Sequence, residues 1–435
     1  MSNVNQPIGI KQKSVLDFFE PEKVIQQPII NIQHVSENMD LPETIGDKKS
    51  ILLVEPEKYK SWGSNQQHIG LLKIGTYHQV LGDLVEYVTY PNYPKKINRP
   101  DIIYVTSMFT YWYKGVWKTV QHYKESYPKA KVILGGIYAT LCPDHAKGAG
   151  ADEIMIGQHP EAKIYPPNPL LLPEKQDFAY CMTSQGCTGN CRFCATHILY
   201  GHGIYQRPVD EVVGEISLQY RRGINKIYFG DDDILYKSEE HIIPIINKLT
   251  MLNVKPEFYV YGGMQARWMT PELAKLFKEN RFKFISFGFE SISEEVLSKM
   301  NRKGLGGQLA LDKALDYLRA VDFDLKSVMI FFMIGLPYQT EKDMIATLRY
   351  LVKQGVMAEP QRWAPIPGTV DYESLSDEIK KKDLEELYYK DFLAPGQNDE
   401  FLKKVKNAAR YCNMGTRYSN INVFDDKEYK GFIVD

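Results

Sequence analysis

Short apolar runs, each followed by a segment of helical period, recur along most of this 435-residue chain, and no other feature constrains its fold as strongly. Ile51-Leu52-Leu53-Val54, Leu84–Val88, Ile102–Val105, Val132-Ile133-Leu134 and Glu153–Gly157 read as strands, with helical segments at His68–Leu81 and Trp117–Tyr123. Strands and helices in succession make βαβ units and a parallel sheet. Residues 50–165 are therefore expected to form a small doubly wound, Rossmann-like domain, its ligand crevice beyond the carboxyl ends of the strands.

A proline-rich link, Pro166-Pro167-Asn168-Pro169 and Pro173, precedes a second, larger alternation. Its strands are expected at Lys226–Phe229, Glu257–Tyr261, Phe284–Gly288 and Val328–Ile334. Its helices are expected at Val209–Arg221, Pro271–Glu279, Glu294–Met300, Leu309–Ala320 and Lys342–Gln354. Roughly six βα units suit an open partial barrel over residues 166–375, with active-site residues where strands end and loops begin. Residues 376–435 read as a short extension: a charged helix over Asp377–Tyr389, with Ser376 placed to cap it, then a polar terminus. Residues 1–49 differ from the rest: the run from Gln26 through Lys49 is polar and without period, and the segment reads as a mostly disordered tail. Within the tail, Gln12-Lys13-Ser14-Val15-Leu16-Asp17-Phe18-Phe19 resembles the short peptides that dock clients on sliding clamps; it reads equally as an apolar patch packing the tail onto the body.

Lys and Arg number 53 against 54 Asp and Glu, for a formal net charge of −1, which gives no electrostatic reason to expect bulk nucleic-acid binding. The apolar stretch Val328–Leu336 is about half of what a bilayer crossing needs, and no charged-then-apolar leader follows Met1. A soluble, cytoplasmic chain is expected, in which thiols stay reduced. The six cysteines are unevenly placed: Cys181, Cys187, Cys191 and Cys194 share one short stretch, while Cys142 and Cys412 stand alone and read as ordinary residues.

The chemistry-bearing motif is Cys187-Thr-Gly-Asn-Cys191-Arg-Phe-Cys194. Three thiolates so spaced can hold three irons of a cubane and leave the fourth open. The alternative is zinc, with Cys181 or His197 as the fourth ligand and a non-enzymatic, partner-binding protein as the function. Cys181 itself reads as a small buried hydrophobe or as a substrate-reactive thiol.

The motif, with Phe193 just before its last cysteine, resembles that of the radical S-adenosylmethionine superfamily. Lys226-Ile-Tyr-Phe-Gly-Asp-Asp-Asp233, Gly288-Phe-Glu-Ser291, Met333-Ile-Gly-Leu-Pro337 and Pro365-Ile-Pro-Gly-Thr369 follow in the order of its cobalamin-binding-domain branch. The first domain resembles that branch too, at Gly70–His78, Thr106–Trp112 and Gly135–Thr140. The resemblance implies a [4Fe–4S] cluster on Cys187, Cys191 and Cys194, with S-adenosylmethionine chelating the open iron and cleaved reductively to a 5′-deoxyadenosyl radical. It places Phe193 near the adenine, Asp231, Asp232 and Asp233 at the methionyl amine, and Glu290 at the ribose or methionyl group. Arg267 would pair with the methionyl carboxylate, and Gly335 and Pro337 would shape the loop over the adenine. As plain residues, the three aspartates also read as a solvated turn and cap, Arg267 as a surface ion pair, and Gly368 and Thr369 as either a turn or a cofactor contact.

Thr106, Ser107, Tyr111, Trp112, Gly135 and Gly136 are the expected cobalamin contacts: the small residues allow close backbone approach, and Tyr111 and Trp112 would cover the lower face. The D-x-H-x-x-G signature is absent, and His68 and His78 read as helix residues rather than cobalt ligands. The alternative is a degenerate domain that serves as a cobalamin-free scaffold. The implied reaction is methylation of an unactivated carbon of a small-molecule or lipid substrate, driven by an external reductant of flavodoxin or ferredoxin type; cyclisation or rearrangement is the alternative. A second cluster, as in the methylthiotransferases, has no cysteine group to hold it.

Overall fold

The computed structural model describes residues 47–57, 67–172, 176–302, 304–388 and 392–417. The N-terminal tail with its 12–19 motif, Trp62, Pro173 and the last residues lie outside them. Five strands, β1 (Ser50–Glu55), β2 (Leu84–Thr89), β3 (Ile102–Val105), β4 (Lys131–Leu134) and β5 (Glu153–Ile154), form one parallel sheet in the order β2-β1-β3-β4-β5. Ile51 stands in register with Val85 on one side and Ile102 on the other. Strand β1 is apolar on both faces because both are covered. Leu53 and Ile51 pack with Leu71 and Ile74 of helix α1 (Ile69–Val80). Leu52 and Val54 pack with Val116 and Val120 of α2 (Tyr113–Ser126). The strand order reverses between β1 and β3, and a crevice opens there at the carboxyl edge.

The second sheet is also parallel. Its strands are β6 (Ala179–Cys181), β9 (Lys226–Phe229), β10 (Glu257–Val260), β11 (Phe282–Glu290), β12 (Val328–Ile334) and β13 (Met357–Arg362), neighbours in chain order. Strands β7 (Ser184–Cys187) and β8 (Gly203–Gln206) form a separate antiparallel hairpin. The barrel helices are α3 (Val209–Arg221), α4 (Ile242–Met251), α5 (Pro271–Glu279), α6 (Gln308–Ala320) and α7 (Glu341–Gln354). Two of these starts follow from side-chain capping. Thr270 accepts from Leu273 N before α5, and Thr340 forms a capping box with Asp343 before α7. The fold is thus α/β throughout: a Rossmann-like sheet followed by a six-stranded partial barrel.

The carboxyl-terminal segment departs from the sequence reading. The helix expected over Asp377–Tyr389 runs only from Asp377 to Lys380, and Ser376 stands at its N-cap without a side-chain cap bond. Asp383 ends the helical path: its carboxylate accepts the Tyr113 hydroxyl at 2.6 Å and its own Glu385 N–H at 2.8 Å. Beyond it, a 19-residue helix, α8 (Asp399–Arg417), lies where a polar terminus was expected. Leu402, Val405, Ala408, Ala409 and Cys412 bury its apolar stripe in the barrel core. Asn413 exchanges two 2.8 Å bonds with the backbone of Ala358, satisfying the edge of β13.

Candidate functional site

The cysteine loop is held by the turn after β9. Asp231, buried there, accepts from Thr183 N (3.1 Å), Thr183 Oγ1 (2.7 Å), Ser184 N (2.5 Å) and Ser184 Oγ (2.6 Å), which fixes the entry to β7. Asp232 takes the next rung, accepting from Gly186 N at 2.9 Å. Gly186 has φ +94°, and a Cβ there would fall on the carbonyl oxygen of Gly203 across the hairpin, so only glycine fits. Cys187 ends β7, and the loop that follows carries Cys191 and Cys194 back towards the body. Arg192 Nε donates to the buried carboxylate of Asp371 at 2.9 Å, tying this loop to the segment after β13.

Each cysteine sulfur has a polar neighbour. Gly189 N and Gln265 Nε2 both donate to Cys187 Sγ at 3.3 Å, and Arg302 Nη1 donates to Cys191 Sγ at 3.4 Å. Cys194 Sγ donates to Thr196 Oγ1 at 3.2 Å, and that hydroxyl donates to Asp232 Oδ1 at 3.3 Å. Burial pushes the Cys191 thiol up to about 11 and the Cys187 thiol upward too; Arg302 and the Gly189 N–H pull the other way. Donors aimed at sulfur suit ligating thiolates, and two buried polar atoms beside them, Gln265 Oε1 and Arg267 Nε, have no partner. Both observations fit a cluster and a polar ligand at this loop. A zinc site would need a fourth ligand beside the three cysteines. Cys181 is wholly buried in the barrel core, its thiol pushed upward by desolvation and Glu215, and gives no fourth ligand.

The three consecutive aspartates do three different things. Asp231 spends its oxygens on the hairpin, and Asp233 accepts from Trp268 Nε1 (3.1 Å) and Gln265 N (3.4 Å), its pKa raised by burial to about 6. Asp232 alone of the three lines the large cavity. None is a solvated turn. Glu290 sits at a bulge of β11 with φ +71°, an unfavourable backbone for a non-glycine residue that the surrounding contacts hold in place. Its carboxylate lies 3.6 Å from Arg302, which also donates to Gly288 O at 2.8 Å. Arg267 is not in a surface ion pair: it donates to Gly304 O and Thr188 Oγ1, both at 3.0 Å, and lies over the Trp268 ring. Gly335 has φ +80° and faces Leu402 of α8, and Gln397 Nε2 bonds the Leu336 and Gln339 carbonyls. The Gly335–Pro337 turn is thus shaped by the C-terminal helix and lines no part of the cavity. Gly368 (φ +84°) and Thr369, which caps the helix Val370–Glu373, form a turn.

In the first sheet, Thr106, Ser107 and Tyr111 after β3 and Gly135 and Gly136 after β4 all line the same cavity. Ser107 welds the two loops: its hydroxyl donates to Gly135 O at 2.6 Å and accepts from Ala139 N at 3.2 Å. Gly136, at φ +94°, brings its backbone onto that of Ser107, where a Cβ would collide with the Ser107 carbonyl oxygen. Trp112 is buried behind Phe109 and Tyr111 and does not reach the cavity. His78 is spent inside the domain, its Nδ1 2.7 Å from Asp83 and its Nε2 3.1 Å from the Tyr104 hydroxyl. His68 stands just before α1, at its N-cap, and lines the cavity, 3.7 Å from Glu55.

The cavity, about 680 Å³, joins the two halves of the site. The carboxyl edge of the first sheet forms one wall. Phe193, Cys194, Thr196 and Asp232 form the other. The sequence reading missed Gln265, Thr196 and Arg302 around the cysteines, and Lys73 and His159 in the cavity wall. None sits in a spacing that marks it. Only Arg302, close behind Gly288-Phe-Glu-Ser291, offered a signal, as a cation following a motif that ends in a carboxylate.

Residues 182–351 match the family described as the radical SAM superfamily. The chain is 25% identical over 354 residues to an uncharacterised methyltransferase of Pyrococcus horikoshii, an alignment that covers 67% of this chain and 73% of that one. It is 21% identical over 379 residues to the bacteriochlorophyllide d C-12(1)-methyltransferase of Chlorobaculum tepidum, covering 77% and 80%. Among solved structures, the radical S-adenosylmethionine methyltransferase TsrM of Kitasatospora setae, with cobalamin and a [4Fe–4S] cluster bound, superposes with a TM-score of 0.64 at 15% identity over 81% of each chain. The cobalamin-dependent enzyme OxsB follows at 0.55 and 17% identity, covering 82% of this chain and 56% of that one. Among the described residues no helix is long and apolar enough to cross a membrane. The cysteine loop and most of the partial barrel thus fall in the part of the chain, residues 182–351, that matches the radical SAM superfamily, and the preceding Rossmann-like domain shares the fold of these cobalamin-dependent structures.

Proposed function

We propose that this enzyme uses cobalamin beside its cluster to methylate an unactivated carbon of a small-molecule or lipid substrate, in the cytoplasm, with electrons from a flavodoxin- or ferredoxin-type donor. The observation that carries the reading is the single cavity in which Phe193 and Cys194 share walls with Ser107, Tyr111, Gly135 and Gly136. When bound, the cluster and S-adenosylmethionine supply a 5′-deoxyadenosyl radical and cobalamin supplies the methyl group. The chain's own residues do the rest. Gly189, Gln265 and Arg302 orient the thiolates of Cys187 and Cys191, and Cys194 completes the set. Asp232 offers its carboxylate to the methionyl ammonium. Arg302, held beside Cys191 by Glu290 and the Gly288 carbonyl, offers a buried guanidinium to the methionyl carboxylate. Phe109, Tyr111, Tyr180 and Tyr200 line the cavity with aromatic surface that excludes water from a reactive radical. Ser107 and Gly136 lock together the two loops that border the crevice.

Anaerobic reconstitution tests the reading. The wild-type chain should take up iron and acid-labile sulfide, bind one equivalent of hydroxocobalamin, and release 5′-deoxyadenosine from S-adenosylmethionine under a strong reductant. Cys191→Ala should do none of the cleavage. A product heavier by one methylene distinguishes methylation from cyclisation or rearrangement, and zinc without sulfide would defeat the reading altogether.

A further inference from the structure

Lys73, on α1, is 7% exposed and faces the cavity, yet among the described residues it has no carboxylate partner. Its Nζ donates to one neutral acceptor, the Lys163 carbonyl, at 3.0 Å. The two carboxylates that act on it, Glu211 and Glu215, are each paired to Arg207 at 2.6 Å. A buried ammonium without a counter-ion is costly, and an anionic ligand would offset that cost. The start of α1 adds a second positive feature. The helix has 12 residues, no side-chain cap at His68 and no acidic residue in its first turn. Gln67, His68, Gly70 and Leu71 line the cavity, and a Cβ built on Gly70 meets nothing within 4 Å. His159 and Lys163 complete this end, and the one acidic side chain lining the cavity, Asp232, belongs to the cysteine-loop wall.

We propose that Lys73 and the open first turn of α1 form a subsite for a phosphate group on the molecule that fills the cavity. The chemistry is that of a phosphate at a helix N-terminus just past the first strand of a doubly wound sheet, with a lysine as the point charge. Desolvation and Arg207 lower the Lys73 pKa to about 8, and an anion bound there would raise it again. Two molecules can bring the phosphate: the corrinoid, through the phosphodiester of its nucleotide tail, or the substrate. The first case rests on the cobalamin reading above; the second does not.

Binding of hydroxocobalamin, of hydroxocobinamide (which lacks the nucleotide tail) and of inorganic pyrophosphate to the full chain separates the cases. If the phosphate is the corrinoid's, Lys73→Met weakens cobalamin binding about tenfold or more and leaves cobinamide unchanged. If it is the substrate's, both corrinoids bind as in wild type, while the thermal stabilisation by pyrophosphate seen in wild type is lost in Lys73→Met. Gly70→Asp, which adds an acid where there is room and where a helix start favours one, should act in the same direction without a cost in folding. The proposal is overturned if both variants bind cobalamin and respond to pyrophosphate as wild type does, if wild type shows no pyrophosphate response while its corrinoid affinities survive the substitutions, or if both corrinoids weaken equally. A wild-type chain that binds no corrinoid defeats the cobalamin reading alone, and the pyrophosphate arm then decides.

Discussion

Arg302 lies 3.6 Å from Glu290 and at the same time reaches the sulfur of Cys191, so a buried ion pair is built into the wall of the cysteine loop. Burial pushes the Glu290 carboxyl up while Arg302 pulls it down. Removing one partner of such a pair leaves the other charge uncompensated, at a cost of about 3–5 kcal/mol. Arg302→Gln is expected to lower the thermal midpoint sharply and to reduce S-adenosylmethionine affinity. Arg302→Gln with Glu290→Gln should recover most of the stability but none of the affinity. A double-mutant cycle on denaturant midpoints and on ligand binding checks both.

His78 makes a pH-dependent contribution. Burial lowers its pKa below the ordinary 6.5, with Asp83 opposing. The native imidazole therefore stays neutral where the unfolded one takes up a proton. Stability from this group is complete above the unfolded value and falls away as pH drops from there through the lowered folded value. Unfolding free energies measured between pH 7.5 and 5 should fall less steeply in His78→Gln than in wild type. Equal slopes would remove His78 from the balance.

Gly136 tests the close approach at the crevice. Its φ of +94° and the contact of its would-be Cβ with Ser107 make Gly136→Ala strained as well as crowded. The backbone term alone is about 1–3 kcal/mol. The loops after β3 and β4 should separate, and hydroxocobalamin binding should weaken while the Cys187–Cys194 loop still takes up iron. Visible spectroscopy and iron analysis on the same sample read the two effects separately.

Periodicity explains how much of this was legible in advance. Val209–Arg221, Lys226–Phe229, Pro271–Glu279 and Val328–Ile334 fall within the bounds read from sequence, because their apolar spacing and flanking residues agree on one element. Strand β13 escaped notice because Pro360 interrupts it, which is tolerated only at a sheet edge. Helix α8 escaped because its apolar residues are few among many charged ones, and only packing against β13 gives them a purpose. In the site, the cysteines were legible from spacing and the first-sheet loops from their small residues. Arg302, Gln265 and Lys73 were not. Their roles come from tertiary position, and nothing in local sequence distinguishes a buried unpaired lysine from the exposed ones.

Asp231, Asp232 and Asp233 are the sharpest case, since sequence treats them alike and the fold does not. Asp231→Asn removes a carboxylate that four donors share, two of them backbone N–H groups, and each charged bond is worth about 1.5–3 kcal/mol. It should loosen the β7–β8 hairpin and lower both the thermal midpoint and the iron content. Asp233→Asn faces Trp268 and Gln265 and should act mainly on stability, and less at pH 5, where the native carboxyl, with its pKa near 6, is already largely protonated. Asp232→Asn keeps the Gly186 bond through its remaining oxygen but loses the charge that faces the cavity. Its fold and iron content should stay near wild type, while S-adenosylmethionine affinity drops about tenfold. Parallel measurements of melting, iron and ligand affinity on the three variants separate these outcomes. Equal losses of affinity in all three would show that Asp232 has no privileged contact with the ligand.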